Sequence, residues 1–102
     1  MFSRRGGKVY EYSAYVTFVI DGDTFKTSNR TIRLANINAP ESNTLEGQRS
    51  AEYLKCLIEG KQVRIKSVAT DVYRRVVAHV WRGSDDLYVN KEMFNRGHAN
   101  PI

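Results

Sequence analysis

Cysteine is nearly absent: Cys56 stands alone in 102 residues, so no internal disulfide can staple the fold. His79 and His98 are the only histidines, and no Cys/His cluster has zinc-ligand spacing. Long apolar runs are missing as well, and no segment is apolar enough to span a bilayer. Internal repeats and low-complexity tracts are absent too. The opening Ser3-Arg4-Arg5-Gly6-Gly7 has the look of a twin-arginine export signal, but Lys8, Glu11 and Ser13 interrupt any apolar stretch after it. The expected location is therefore the cytoplasm, or outside the cell if a signal has been removed.

What remains is ordinary for one folded domain spanning 1–102. Hydrophobic residues make up 41% and charged residues 26%, and six tyrosines argue against disorder. Lys and Arg total 16 against 11 Asp and Glu, a formal charge of +5. That balance favours a polyanionic partner without choosing among nucleic acid, acidic protein and simple solubility.

Residues 1–8 read as a loose arm. From Val9 to Ile20 the chain is β-branched and aromatic, with Val16, Phe18 and Ile20 expected on one face and Tyr15, Thr17 and Val19 on the other. Asp21-Gly22-Asp23 turns the chain into a strand at Thr24–Thr27, and Ser28-Asn29-Arg30 turns it into another at Thr31–Ile37. A helix is predicted from Gln48 to Glu59, with the apolar stripe Ala51, Leu54, Leu57 and Ile58, stopped by Gly60. Strands follow at Gln62–Ala69 and Val76–Trp81, then a second helix capped by Asn90 and ended by Gly97. Five strands with a helix between the third and fourth predict a mainly β, α+β domain: a five-stranded OB-fold barrel with a short C-terminal helix.

Three clusters could carry chemistry. In Asp21-Gly22-Asp23-Thr24 the Asp-Gly pair is a hairpin signal, but Asp23 falls at the start of a strand, a rigid base for a metal ligand. In the second, Arg33 interrupts an apolar strand, and Asn38 and Glu41 flank the Ala39-Pro40 corner, where Pro40 frees the Ala39 carbonyl. Carboxylate, amide and backbone oxygens together suit Ca²⁺. The third, Asp71-Val72-Tyr73-Arg74-Arg75, pairs two arginines that could clamp a phosphate. Each alone also reads as a plain polar turn or solvated face. His79, His98, Cys56 and Trp81 read as structural or exposed.

In order and spacing these motifs, with Val89-Asn90 and Arg96-Gly97, resemble the staphylococcal nuclease family over about residues 15–99. The resemblance implies a nuclease that uses Ca²⁺. Asp23, Asn38 and the Ala39 carbonyl would be metal ligands, and Asp21 and Thr24 would support them. Glu41 would activate water, Arg33 and Arg75 would bind the scissile phosphate, and Tyr73 and Arg74 would contact the nucleotide. The implied substrates are DNA and RNA, single strands preferred, cut with little sequence specificity to 3′-phosphate and 5′-hydroxyl ends. The implied family pattern has a carboxylate where this chain has Asn38, so weaker metal binding is expected. Well-known members also continue with a tyrosine-bearing segment and a third helix, so self-association could complete the pocket. The alternative is a non-catalytic binding module of the same family.

Overall fold

Alternation in Gln62–Thr70 is the plainest signal in the fold. Val63, Ile65 and Ser67 are buried, while Arg64, Lys66 and Val68 lie on the outer face. The structure, a computed structural model, describes residues 10–102, so the expected arm at 1–8 lies outside the described residues. Along the chain come β1 (Tyr10–Tyr15), β2 (Phe18–Asp21), β3 (Thr24–Lys26), β4 (Thr31–Leu34), β5 (Ile37–Asn38), α1 (Leu45–Ile58), β6 (Gln62–Thr70), β7 (Val76–Arg82), α2 (Val89–Asn95) and β8 (Asn100–Pro101).

Six strands form one sheet in the order β1-β6-β7-β4-β3-β2, and β5 pairs with β8 apart from it. All pairs are antiparallel except β4 with β7. The ladder is open, not the closed five-stranded barrel of the sequence reading. Its two edges, however, are consecutive pieces of chain. Val16 N–H donates to the Lys61 carbonyl at 3.0 Å, and Thr17 N–H to the Lys26 carbonyl at 2.9 Å. The long first strand therefore serves β6 with its first half and β3 with its second, which makes the architecture OB-like.

That handover overturns the expected inward face of the first strand. Val16 and Val19 are both buried, whereas Phe18 is 53% and Ile20 42% exposed. Strict alternation cannot bury residues three apart, so the chain shifts face where it changes partner. Around the resulting core, Phe25, Ile32, Leu34 and Ile65 from the sheet meet Leu54 and Ile58 of α1 and Met93 of α2.

Helix α1 starts at Leu45, three residues before the expected Gln48, because Thr44 is its N-cap. The Thr44 hydroxyl accepts from Gly47 N–H at 3.0 Å and donates to the Glu41 carbonyl at 2.7 Å. Gly47 is needed here, since a Cβ would stand 1.9 Å from that carbonyl. The cap thus ties the Glu41 corner to the helix.

Asn90 is not the cap of α2, a second correction. It sits inside the helix, buried, with its side chain turned to β7. Its Oδ1 accepts from Val80 N–H at 2.9 Å, and its Nδ2 donates to the Ala35 and Ala78 carbonyls at 3.0 and 3.1 Å. β4 pairs with β7 only through Leu34–Ala78. Beyond that point Asn90 satisfies the edge that β4 has left.

Candidate functional site

The site forms where β4 leaves the sheet. Arg33 is on the outer face of β4, opposite Thr24 of β3 and Val77 of β7. After Leu34 the chain turns through Ala35 and Asn36, the latter left-handed at φ 67°, and folds back over Arg33. The guanidinium holds this turn. Nη1 donates to the Leu34 and Ile37 carbonyls, both at 2.8 Å, and Nη2 donates to Asn38 Oδ1 at 2.5 Å.

Asp23 completes the cluster. Its Oδ2 accepts from Ala39 N–H at 2.8 Å and lies 3.5 Å from Arg33 Nη2, and its Oδ1 accepts from the Thr24 hydroxyl at 2.9 Å. Asp23 and Thr24 are buried beneath the turn, while Asn38 is exposed. Gly22 lets this packing happen through its size. A Cβ there would lie 1.8 Å from Ser50 Oγ and 2.9 Å from Ala39 Cβ. Its φ is not in the left-handed range, so the hairpin argument gave the right residue for the wrong reason. Ser50 in turn donates to the His98 carbonyl at 2.7 Å, and the His98 ring stacks on Tyr53. Neither Ser50 nor this packing role of His98 shows in local sequence.

Two carboxylates share this corner. Burial, then the hydrogen bond with Asp23 and its charge, raise Asp21 to about 6. Burial opposes ionisation of Asp23 as well. Hydrogen bonds from Asp21 and Ala39 N–H, the Arg33 charge and the Thr24 hydroxyl outweigh it and hold Asp23 below its ordinary value.

The expected phosphate clamp lies on the connection between β6 and β7. Asp71 organises it: Oδ1 accepts from the Tyr73 and Arg75 amides, both at 2.9 Å, and Oδ2 accepts from Arg75 Nε at 2.8 Å. Burial works against the Asp71 charge, but these partners outweigh it and hold the carboxyl below its ordinary value. Arg74 is left-handed at φ 68°, a conformation that costs a non-glycine residue about 1–2 kcal/mol. Tyr73 is 76% exposed with the Arg75 guanidinium 5.3 Å from its ring centre.

The structure therefore brings Asp21, Asp23, Thr24, Arg33, Asn38 and Ala39 together. Arg75 directly precedes β7, two residues before Val77, which is opposite Arg33. Neither Arg75 nor the exposed Glu41 makes a hydrogen bond or ion pair with that cluster among the described residues. Among the described residues no three His, Cys, Asp or Glu side chains converge there either. The donor set still fits a hard cation. It is all oxygen, and it contains two carboxylates whose mutual repulsion a divalent ion would relieve. It carries one charge fewer than a set with a carboxylate at position 38.

The family model described as staphylococcal nuclease homologue matches residues 31–102, which takes in Arg33, Asn38–Glu41 and Asp71–Arg75. An "uncharacterized endonuclease" of Escherichia coli is 35% identical over 88 residues, covering 82% of this chain and 57% of its own. Another of that name, from Haemophilus influenzae, is 36% identical over 89 residues, covering 82% of this chain and 49% of its own. The "probable staphylococcal-like nuclease CAN1" of rice, Oryza sativa subsp. japonica, is 30% identical over 78 residues, 76% of this chain and 23% of its own. The chain spans about half the length of the two bacterial relatives.

Proposed function

We propose, since this chain belongs to the staphylococcal nuclease family, that it is a Ca²⁺-dependent nuclease cutting DNA and RNA with little sequence specificity. The observation that carries the reading is Arg33. It is a largely buried cation on a strand, bridging Asp23 and Asn38 beneath the turn that leads to Ala39.

A phosphodiester is anionic and repels nucleophiles, and its transition state is more negative still. Ca²⁺ held by Asp23, the Asn38 amide oxygen and the Ala39 carbonyl, with Asp21 and Thr24 behind them, would supply charge against both. Arg33 and Arg75 bind the scissile phosphate and stabilise the charge that develops on it. Glu41, open to solvent, takes the proton from the attacking water. The new bond forms to phosphorus and the bond to O5′ breaks, leaving a 3′-phosphate and, once protonated, a 5′-hydroxyl. Tyr73 and Arg74 hold the neighbouring nucleotide.

The test is incubation with single-stranded DNA or RNA at low salt, with Ca²⁺ or with chelator. Calcium-dependent cleavage is expected, with Glu41→Gln slowing turnover by about 10²–10⁴-fold. Cleavage that survives chelation, or that runs at the wild-type rate in Glu41→Gln, would overturn this mechanism. The second reading, a binding module, draws support from Asn38, whose neutral oxygen is already committed to Arg33. It predicts salt-sensitive retention of DNA with no cleavage.

A further inference from the structure

Beside the site lies an open cleft of about 470 Å³ that none of the motif residues explains in full. One wall is the turn joining β3 to β4, with Lys26 and Arg30. The other is Tyr73 and Arg74 of the β6–β7 connection. Three cations line it and no carboxylate does. Lys26 and Arg30 are exposed and make no ion pair among the described residues. The cleft's charge is therefore left to solvent, and its positive field attracts polyanions.

Aromatic surface flanks this charge on both sides. Lys26 is opposite Thr31 on one side and Phe18 on the other, all on the outer face. Phe18 is 53% and Tyr73 76% exposed. Strands are about 4.8 Å apart, so Phe18, Lys26 and Thr31 make a row roughly 10 Å long across the sheet. Thr31 stands two residues from Arg33 on the same face of β4, roughly 7 Å along the strand. The row therefore leads to the guanidinium that the proposed function puts on the scissile phosphate.

We infer that this row and cleft are the track on which a single-stranded nucleic acid lies, with Lys26 and Arg30 on its phosphates and Phe18 under a base. The inference rests on the proposed substrate class and adds the residues that hold it away from the cut. Aromatics interleaved with cations in a groove suit a single strand, whose bases are free to stack. A duplex would hide those faces.

Affinity for a fluorescent 15-residue oligothymidylate, measured by anisotropy in chelator over a salt series, tests the track apart from any cleavage. Lys26→Ala/Arg30→Ala should weaken binding about tenfold at low salt. It should also reduce the salt slope by about 1.4, the value for two lost phosphate contacts on a single strand. Phe18→Ala should weaken binding about tenfold at every salt concentration with the slope unchanged, because stacking releases no counterions. Lys61→Ala/Lys91→Ala removes the same charge from exposed positions outside the cleft and should change little. Wild-type affinity in Lys26→Ala/Arg30→Ala would overturn the track, and so would an equal loss in Lys61→Ala/Lys91→Ala. Circular dichroism confirms that each variant is folded. A protein that binds through these residues but never cuts would refute the nuclease reading and leave the track standing.

Discussion

The Arg33 guanidinium donates to the Asn38 side-chain oxygen at 2.5 Å, and the same nitrogen is 3.5 Å from Asp23 Oδ2. One cation thus bridges two of the three groups assigned to the metal. A neutral amide there can be turned toward Arg33 or toward a metal, but contributes no charge to either. Asn38→Asp adds that charge. Calorimetry should show Ca²⁺ binding tightened by about tenfold or more, since affinity at such sites follows ligand charge. Unchanged affinity would mean that residue 38 does not ligate the ion.

Asp71 and Arg75 form the other fixed pair, and under the proposed mechanism Asp71 would position the guanidinium. Asp71→Asn keeps an oxygen for the Tyr73 and Arg75 amides but removes the charge facing Nε. Turnover should fall by about 10–100-fold through misplacement of the guanidinium, with a small change in melting temperature. A large loss of stability with normal turnover per folded molecule would assign Asp71 to the loop alone.

Asn90→Leu should be among the most damaging substitutions outside the site. It leaves the Val80 amide and the Ala35 carbonyl without their partner in a buried place. The expected cost is about 2–4 kcal/mol, read from urea unfolding. A loss under 1 kcal/mol would show that α2 does not pin the β7 edge.

Between pH 8 and pH 5 two groups act with opposite sign: Asp21, raised to about 6, takes up its proton first in the folded state and gains stability on acidification, while His79 loses it. Burial, then the Lys66 charge, lower its value below 6.5, and Nδ1 pairs with the Tyr88 hydroxyl at 2.5 Å. The folded state thus favours the neutral ring. Well above pH 6.5 both states are neutral and the protein keeps this contribution in full. As pH falls the unfolded chain takes up the proton first, and stability is lost until the folded value is passed. Denaturant unfolding between pH 8 and pH 5 should show wild type losing stability relative to His79→Gln as pH falls, and a difference that stays constant with pH would remove His79 from the account.

The motif residues were legible because each is conspicuous locally. An Arg in an apolar strand, an Asp after a hairpin glycine and two adjacent arginines before a strand all break a simple pattern. The start of α1 is marked in the sequence by Thr44, whose hydroxyl caps it, while the apolar stripe that sets the helix period begins later, at Ala51. Lys26 and Arg30 were not legible, since exposed cations in a turn look alike wherever they are. Asn90 reads as a helix cap in one dimension, because nothing nearby tells that its side chain faces the edge of a strand ten residues back.

By itself the sequence determined the period of most elements, the clustering of oxygen-bearing side chains around Asp23 and Pro40, and the positive charge, because these depend on neighbours within a few residues. Tertiary structure alone decided that Gly22 must be small, that the first strand divides between two partners at Val16, and that Arg33 holds Asn38 beside Asp23. Each of these rests on contact between segments separated in sequence. Those contacts exist only once the sheet has curled and brought the segments together, which no local preference encodes.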